Sequence, residues 1–248
     1  LRIIQGECSQ ILINDGKVYG IQTAYGGLLE AKAVILCTGV YLNAETITGE
    51  HRQKSGPSGF APATMLTQNL IELGFNVRRF KTGTPARLDG RTINFDKCLS
   101  QSGGEKVPPF SFINYKSAEN TRECYITYTN SHTHSVILDN LDRSPLYNGD
   151  IKSAGPRYCP SIETKVVRFS DKERHQIFLE PEGADTNEIY VQGMSSSMPH
   201  DIQREMYRSV EGLENCEIMR YAYAIEYDCI DTLDIFPTKK KKKIEGIY

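Results

Sequence analysis

Hydrophobic and polar positions alternate near the start of the chain. Cys8 to Ile13 and Lys17 to Thr23 each read as a strand, and Asn14-Asp15-Gly16 between them is a tight turn of the Asp-Gly kind. Tyr25-Gly26-Gly27 turns again, and Leu28 to Lys32 is predicted as a third strand; Leu1 to Gly6 also reads as one. Ala33-Val34-Ile35-Leu36-Cys37 is apolar without a break, as in a strand buried on both faces. It ends in Thr38-Gly39, where a ligand can approach the backbone closely. Residues 51–61 are Gly/Pro/Ser-rich, a loop or domain boundary. Met65, Leu66, Leu70, Ile71 and Leu73 then take helical spacing, with Gly74 as a stop.

The pattern continues with strands at Phe75–Phe80, Tyr125–Tyr128, Gln176–Leu179, Cys216–Met219 and Tyr223–Asp228. Helices are predicted near Thr133–Asn140 and Pro199–Gly212, the second with Ile202, Met206 and Val210 on its apolar face. Cys98 to Asn120 carries Gly103-Gly104 and Pro108-Pro109 and reads as largely irregular. No internal repeat is present. Strands and helices in this mixture imply an α/β protein.

Composition narrows the class. The chain has 248 residues, 39% hydrophobic and 24% charged, with a net charge of −2. That is a soluble globular composition, and bulk charge does not mark a nucleic-acid binder. No apolar stretch reaches the ~20 residues of a membrane helix. Seven cysteines at wide spacings, without a CxxC pair, argue against a zinc ribbon and for reduced thiols in the cytosol. Most of them, Cys37 included, read as inert core. The chain starts at Leu1, which hints at an internal fragment.

The candidate chemistry lies in a few polar words. Gly155-Pro156-Arg157-Tyr158-Cys159-Pro160-Ser161-Ile162-Glu163 holds one thiol in a Pro-rigidified loop. Such a loop can aim a nucleophile or line a pocket, and Arg157 would favour the thiolate; a structural thiol in a tight loop is the alternative. Lys81-Thr82-Gly83-Thr84-Pro85-Ala86-Arg87 sets cations and hydroxyls around a glycine after a strand. That suits a phosphate or flavin edge, or else it is a turn with a solvated lysine. Glu180 and Glu182 flank Pro181 and read as an exposed acidic turn, or as acids that position a base or hold an arginine. His132-x-His134 lacks a third ligand of convincing spacing and reads as a solvated loop pair. Lys239 to Lys243 are a solvated run that could touch a phosphate backbone. No G-x-G-x-x-G fingerprint is present.

These blocks resemble the GidA (MnmG) family of flavin-dependent tRNA wobble-uridine modification enzymes. The matching words are Ala33–Gly39, Phe80–Pro85, Asn140–Pro145, Gly155–Glu163, Gln176–Gly183, Asn187–Tyr190 and Tyr223–Asp228. Ala86 stands where the family usually has proline, and Val40 where it often has threonine. The resemblance implies part of an FAD-binding Rossmann-like domain with an inserted NAD-binding-like α/β domain. Residues 1–46 and 220–248 are expected in the flavin domain and 47–219 in the insert. It further implies a fragment of a longer chain. A first βαβ unit with the flavin fingerprint and a second functional cysteine would precede it. A Phe-Ala-Gly-Gln segment and a helical tRNA-binding domain would follow.

By the same resemblance, the reaction installs a carboxymethylaminomethyl or aminomethyl group on C5 of the wobble uridine. It uses FAD, NADH and methylenetetrahydrofolate, with the GTPase MnmE as partner, tRNA as substrate, a homodimer as assembly and the cytoplasm as compartment. Cys159 is implied as a functional cysteine. The stretch Gly155, Pro156, Arg157, Tyr158, Cys159, Pro160, Ser161, Ile162, Glu163, Thr164, Lys165, Val166, Val167, Arg168 and Phe169 is implied to bind NAD. Cys8, Thr38, Gly39 and Ala63 are implied near FAD. Lys81, Thr82, Gly83, Glu180, Glu182, Asn187 and Glu226, with Thr38 and Gly39, are expected around one cleft at strand carboxyl ends. A folate- and FAD-dependent tRNA uridine methyltransferase is a related alternative, though it lacks a block like Gly155–Glu163. An inactive truncated module is another.

Overall fold

The computed structural model describes residues 1–104, 107–109, 111–113, 120–155, 160–238 and 244–248. Its first strands are β1 (Cys8–Asn14), β2 (Lys17–Thr23) and β3 (Leu28–Glu30), an antiparallel meander. Asp15 and Gly16 both take positive φ, 47° and 75°, as a two-residue hairpin turn requires. Helix α1 (Leu66–Glu72) packs on this meander, and Asn69 Oδ1 accepts the Ile11 amide at 2.8 Å. Ile11, Val18, Leu42, Leu66, Leu70, Phe75, Ile244 and Ile247 form the core between them. Gly74 closes the helix at φ 77°, as expected.

Two expectations fail here. Leu1 to Gly6 are outside any strand. The Ala33–Cys37 run is not buried on both faces. Its Val34 and Leu36 amides pair with the carbonyls of Gly246 and Tyr248 at 2.8 Å each, while Ile35 is 71% exposed and Cys37 is exposed. Among the described residues the run has a neighbour on one side only, so alternate side chains face outward.

A second sheet has the order β5 (His51–Gln53), β4 (Glu45–Thr48), β13 (Tyr223–Ile230), β6 (Val77–Thr84). β13 pairs with β6 along its whole length, from Tyr223 opposite Thr84 to Ile230 opposite Val77. Lys81 to Thr84 are therefore strand residues, not the turn that the sequence suggests. Eight consecutive cross-strand pairs hold the segment extended despite Gly83.

The third sheet runs β12 (Ile218–Arg220), β7 (Arg87–Asp89), β11 (Glu188–Gln192), β10 (Gln176–Pro181), β9 (Cys124–Tyr128), β8 (Leu99–Gln101). Leu88, Ile177, Leu179, Ile189 and Val191 share one face of it. They pack with Val136 and Ile137 of α2 (Ser131–Leu138), Ile162 and Val166 of α3 (Ile162–Arg168), and Ile202 and Met206 of α4 (His200–Arg208). Side chains at alternate positions, including Arg87, Tyr190 and Glu180, point to the opposite face. The histidines of the expected loop pair lie on α2 instead. His134 is hydrogen-bonded to Thr129 Oγ1 at 2.8 Å, with its ring 5.3 Å from that of His175.

Helix α3 has no counterpart in the pattern reading. Ser161 caps it, its hydroxyl accepting the Thr164 amide at 3.3 Å, and Glu163 occupies the first turn. The preceding prolines hid that cap. No helix among the described residues is long and apolar enough to cross a membrane.

Candidate functional site

Lys81 is the strongest anchor. A lysine only 7% exposed is unusual, because desolvating an ammonium is costly. Lys81 and Gly83 line a small cavity with Ser161, Ser195, Ser196, Ser197 and Ala224. The hydroxyls of Ser161, Ser195 and Ser197 and the lysine supply donors for an anionic oxygen, while the Ser196 proton is given to Glu163. The cavity measures ≈ 10 Å³, room for one water rather than a nucleotide.

Glu163 organises the serine turn. Its Oε1 accepts the Ser196 hydroxyl at 2.8 Å and the Ser197 amide at 3.2 Å. The side chain is fully buried, and Oε2 has no hydrogen-bond partner among the described residues. The Ser195 carbonyl in turn accepts the Ile162 amide at 2.8 Å, which fixes the start of α3 against the turn.

Residues 151–155 run along β6. Ala154 bridges Phe80, and its carbonyl accepts the Lys81 amide at 3.0 Å. A Cβ on Gly155 would sit 3.6 Å from the Lys81 carbonyl. The chain therefore reaches Gly155 beside Lys81 and resumes near Ser161 on the cavity wall. Pro156, Arg157, Tyr158 and Cys159 lie outside the described residues, and Pro160 leads into the Ser161 cap. Farther along α3, Ile162 and Val166 are buried in the apolar core, Thr164 closes the cap, and Lys165 donates to the Gly193 carbonyl at 3.1 Å. Ile162 and Val166 thus anchor the segment to the core. Val167, Arg168 and Phe169 are exposed at its far end.

Glu226 stands opposite Lys81 on β13, with Thr82 next along β6 opposite Ile225. Its carboxylate is buried and takes Ser153 Oγ, with Arg52 at 3.6 Å and Arg79 at 4.0 Å. Arg52 also grips Glu45, the cross-strand partner of Glu226 on β4, at 2.9 Å. Two facing carboxylates would repel, and Arg52 between them removes that penalty.

Glu180 and Glu182 line a cavity with Arg87, Pro181 and Tyr190, whereas Lys81 and Gly83 line the small cavity described above. Glu182 holds Arg87 at 2.7 Å, the arginine-holding alternative of the sequence reading. Arg87 in turn lies 4.6 Å over the Tyr190 ring. Burial, and then the Glu182 charge, push the Glu180 carboxyl above its usual range. Asn187 contributes its carbonyl to the Gly90 amide at 2.8 Å. The sequence pattern does not single out Tyr190, which cross-strand register places beside Arg87 and Glu180, or Ser195–Ser197, which the bonds to Glu163 bring to the cavity.

Cys8 and Ala63 both pack against the Ile11–Leu66 core. The Tyr41 amide donates to Thr38 at 3.1 Å and the Ala63 amide to Tyr41 at 2.9 Å, so Thr38 and Ala63 share this neighbourhood. Gly39 takes φ 53°. Burial pushes the Cys8 thiol up, which suits packing rather than thiolate chemistry.

Three sheets and four α-helices among the described residues define a mixed α/β protein with the fold of solved GidA structures. The chain belongs to the family described as glucose inhibited division protein A, whose pattern matches residues 1–248. The tRNA uridine 5-carboxymethylaminomethyl modification enzyme MnmG of Clostridium botulinum (strain Hall) is 55% identical over 244 residues, 98% of this chain. The MnmG of Clostridium novyi is 53% identical over 248 residues, 100% of this chain. The Aquifex aeolicus GidA structure in its form I crystal superposes with a TM-score of 0.90 at 45% identity, covering 98% of this chain and 42% of that one. The chain spans 39% of the length of both curated relatives.

Proposed function

We propose that the protein containing this chain modifies the wobble uridine of tRNA, adding a carboxymethylaminomethyl group at C5. The observation that carries this reading is the 55% identity over 244 residues to an enzyme named for that modification. In this proposal FAD and NADH are its cofactors and methylenetetrahydrofolate its one-carbon donor. The GTPase MnmE is its partner, a homodimer its assembly and the cytoplasm its compartment. Residues 1–46 and 220–248 belong to the flavin domain, with 47–219 inserted.

FAD, when bound, supplies hydride chemistry. The residues near Thr38 fit a flavin nucleotide: Gly39 has a positive φ, and a Cβ there would meet only the Tyr41 ring at 3.8 Å, so backbone can be approached closely. Lys81 and the hydroxyls of Ser161, Ser195 and Ser197 suit a single anionic oxygen beside the start of α3. Glu163 orients the serines, and Glu226 with Arg52 and Arg79 braces the strand pair that carries Lys81.

Cys159 is the proposed nucleophile. Uridine C5 is a poor nucleophile, and addition of a thiolate at C6 converts it into an enolate-like carbon. Replacing Cys159 with serine in the full-length protein tests this. A folded, flavin-loaded variant that has lost tRNA modification is expected; near-normal turnover per bound flavin would remove Cys159 from the mechanism.

A further inference from the structure

Lys81 is buried without a bonded counter-charge. It is 7% exposed, and among the described residues its side chain makes no hydrogen bond or ion pair. Glu226 stands opposite on β13, but its carboxylate is taken by Ser153, Arg52 and Arg79. A buried ammonium left in this way is costly, which is why lysines are almost never so buried unless paired.

Strand register turns Lys81 toward the serine cavity. Gly83 stands opposite Ala224, and Lys81 lies two residues from Gly83, so the three share one face of the β6–β13 pair. All three line the ≈ 10 Å³ cavity, together with Ser161 and the serine turn. The Ser195 and Ser197 hydroxyls make no hydrogen bond among the described residues. The Ser161 hydroxyl accepts the Thr164 amide at 3.3 Å and lies 3.1 Å from Thr164 Oγ1. Among the described residues no carboxylate lines the cavity; Glu163 bonds Ser196 and the Ser197 amide without lining it.

Size and charge together select the guest. A water would fit, but it is neutral and leaves Lys81 without a counter-charge. A cation is repelled by Lys81. A phosphate brings a phosphorus and three further oxygens, for which ≈ 10 Å³ leaves no room, so at most one of its oxygens enters. A monatomic anion meets the size, the charge and the hydroxyl donors at once. We propose that, in the protein free of dinucleotide, this cavity holds a single chloride ion. The ion ties Lys81 of β6 to Ser161 at the start of α3 and to Ser195 and Ser197 of the serine turn. It is a structural ligand, independent of the tRNA-modifying function above.

The test uses the full-length, FAD-loaded protein without NADH. Its melting temperature is followed as chloride replaces gluconate at constant ionic strength, and crystals grown in gluconate are soaked in bromide for anomalous scattering at the bromine edge. A saturable rise with chloride is expected, together with a bromine peak between Lys81 and the serine turn. Lys81→Met keeps the aliphatic stem and removes the charge, and it should lose the chloride dependence. Ser197→Ala keeps the charge and should raise the half-effective chloride concentration about two- to tenfold, so the site is tested even where Lys81→Met folds poorly. A melting temperature indifferent to chloride, a cavity without a bromine peak, or a chloride effect that both variants retain in full overturns the proposal. So does stabilisation by inorganic phosphate but not by chloride, lost in Lys81→Met, which would assign the donors to one oxygen of a larger anion.

Discussion

Glu163 and Ser196 meet at 2.8 Å inside a closed site, the glutamate fully buried and the serine 2% exposed. The Met198 amide donates to the same Ser196 hydroxyl at 3.0 Å, so a relay of hydrogen bonds fixes residues 196–198 through one carboxylate oxygen. Glu163→Ala leaves the Ser196 hydroxyl and the Ser197 amide unpaired, and stability is expected to fall by about 1–3 kcal/mol. Glu163→Gln retains a carbonyl acceptor and should lose less. Urea unfolding of both variants checks this, and equal stability of Glu163→Ala and wild type would refute the role.

Tyr207 ties strand to helix in the main core. Its hydroxyl accepts the Ala86 amide at 2.9 Å and donates to the Met194 carbonyl at 3.2 Å, with the ring wholly buried. Tyr207→Phe keeps the ring and orphans both backbone groups. The expected cost is about 1–3 kcal/mol, read as a shift of the denaturant midpoint. An unchanged midpoint would show that those groups find other partners.

Acid should weaken the fold before the carboxylates titrate. Burial holds His134, His175 and His200 below the ordinary value of 6.5; the neighbouring His134 and Lys165 add to this for His175, as do His51 and Arg204 for His200. The unfolded chain therefore binds protons more readily, and this stability, complete above the unfolded value, is lost as pH falls through the folded one. Glu180, raised by burial and then by the Glu182 charge, acts in the opposite sense, while Asp89 and Asp201, lowered by their arginine partners, matter only below the ordinary carboxylate range. The melting temperature should drop between about pH 7 and pH 5, and less so in a His134→Gln, His175→Gln double variant. The same slope in both proteins would contradict the assignment.

Thiol reactivity separates the cysteines. Cys37 is exposed, whereas Cys216 is buried and its thiol pushed up to about 11. A maleimide should label Cys37 well before Cys216, which stays untouched until denaturant is added. Peptide mapping that finds the two modified at equal rates would show the first strand region to be packed differently.

Local signals were enough for the meander, α1 and α4, because hairpin glycines, a helix stop and apolar spacing act within a few residues. Strand β7 was not legible: its three residues pair with β11, whose residues lie about 100 positions away, and so short a segment has no periodicity of its own. Lys81 to Thr84 looked like a turn because Thr and Gly favour one in isolation, and only the match to β13 extends them. Glu226 was readable as a polar residue in a strand context. The row Arg87–Tyr190–Glu180 was not, since register joins segments that share no sequence pattern.

The most direct test is nucleoside mass spectrometry of tRNA treated with the full-length protein, the GTPase proposed as its partner, FAD, NADH and methylenetetrahydrofolate. The account predicts a carboxymethylaminomethyl or aminomethyl group on C5 of the wobble uridine, in proportion to bound flavin. Methylation of a uridine elsewhere in the tRNA, or an unmodified wobble position with flavin fully bound, would contradict it.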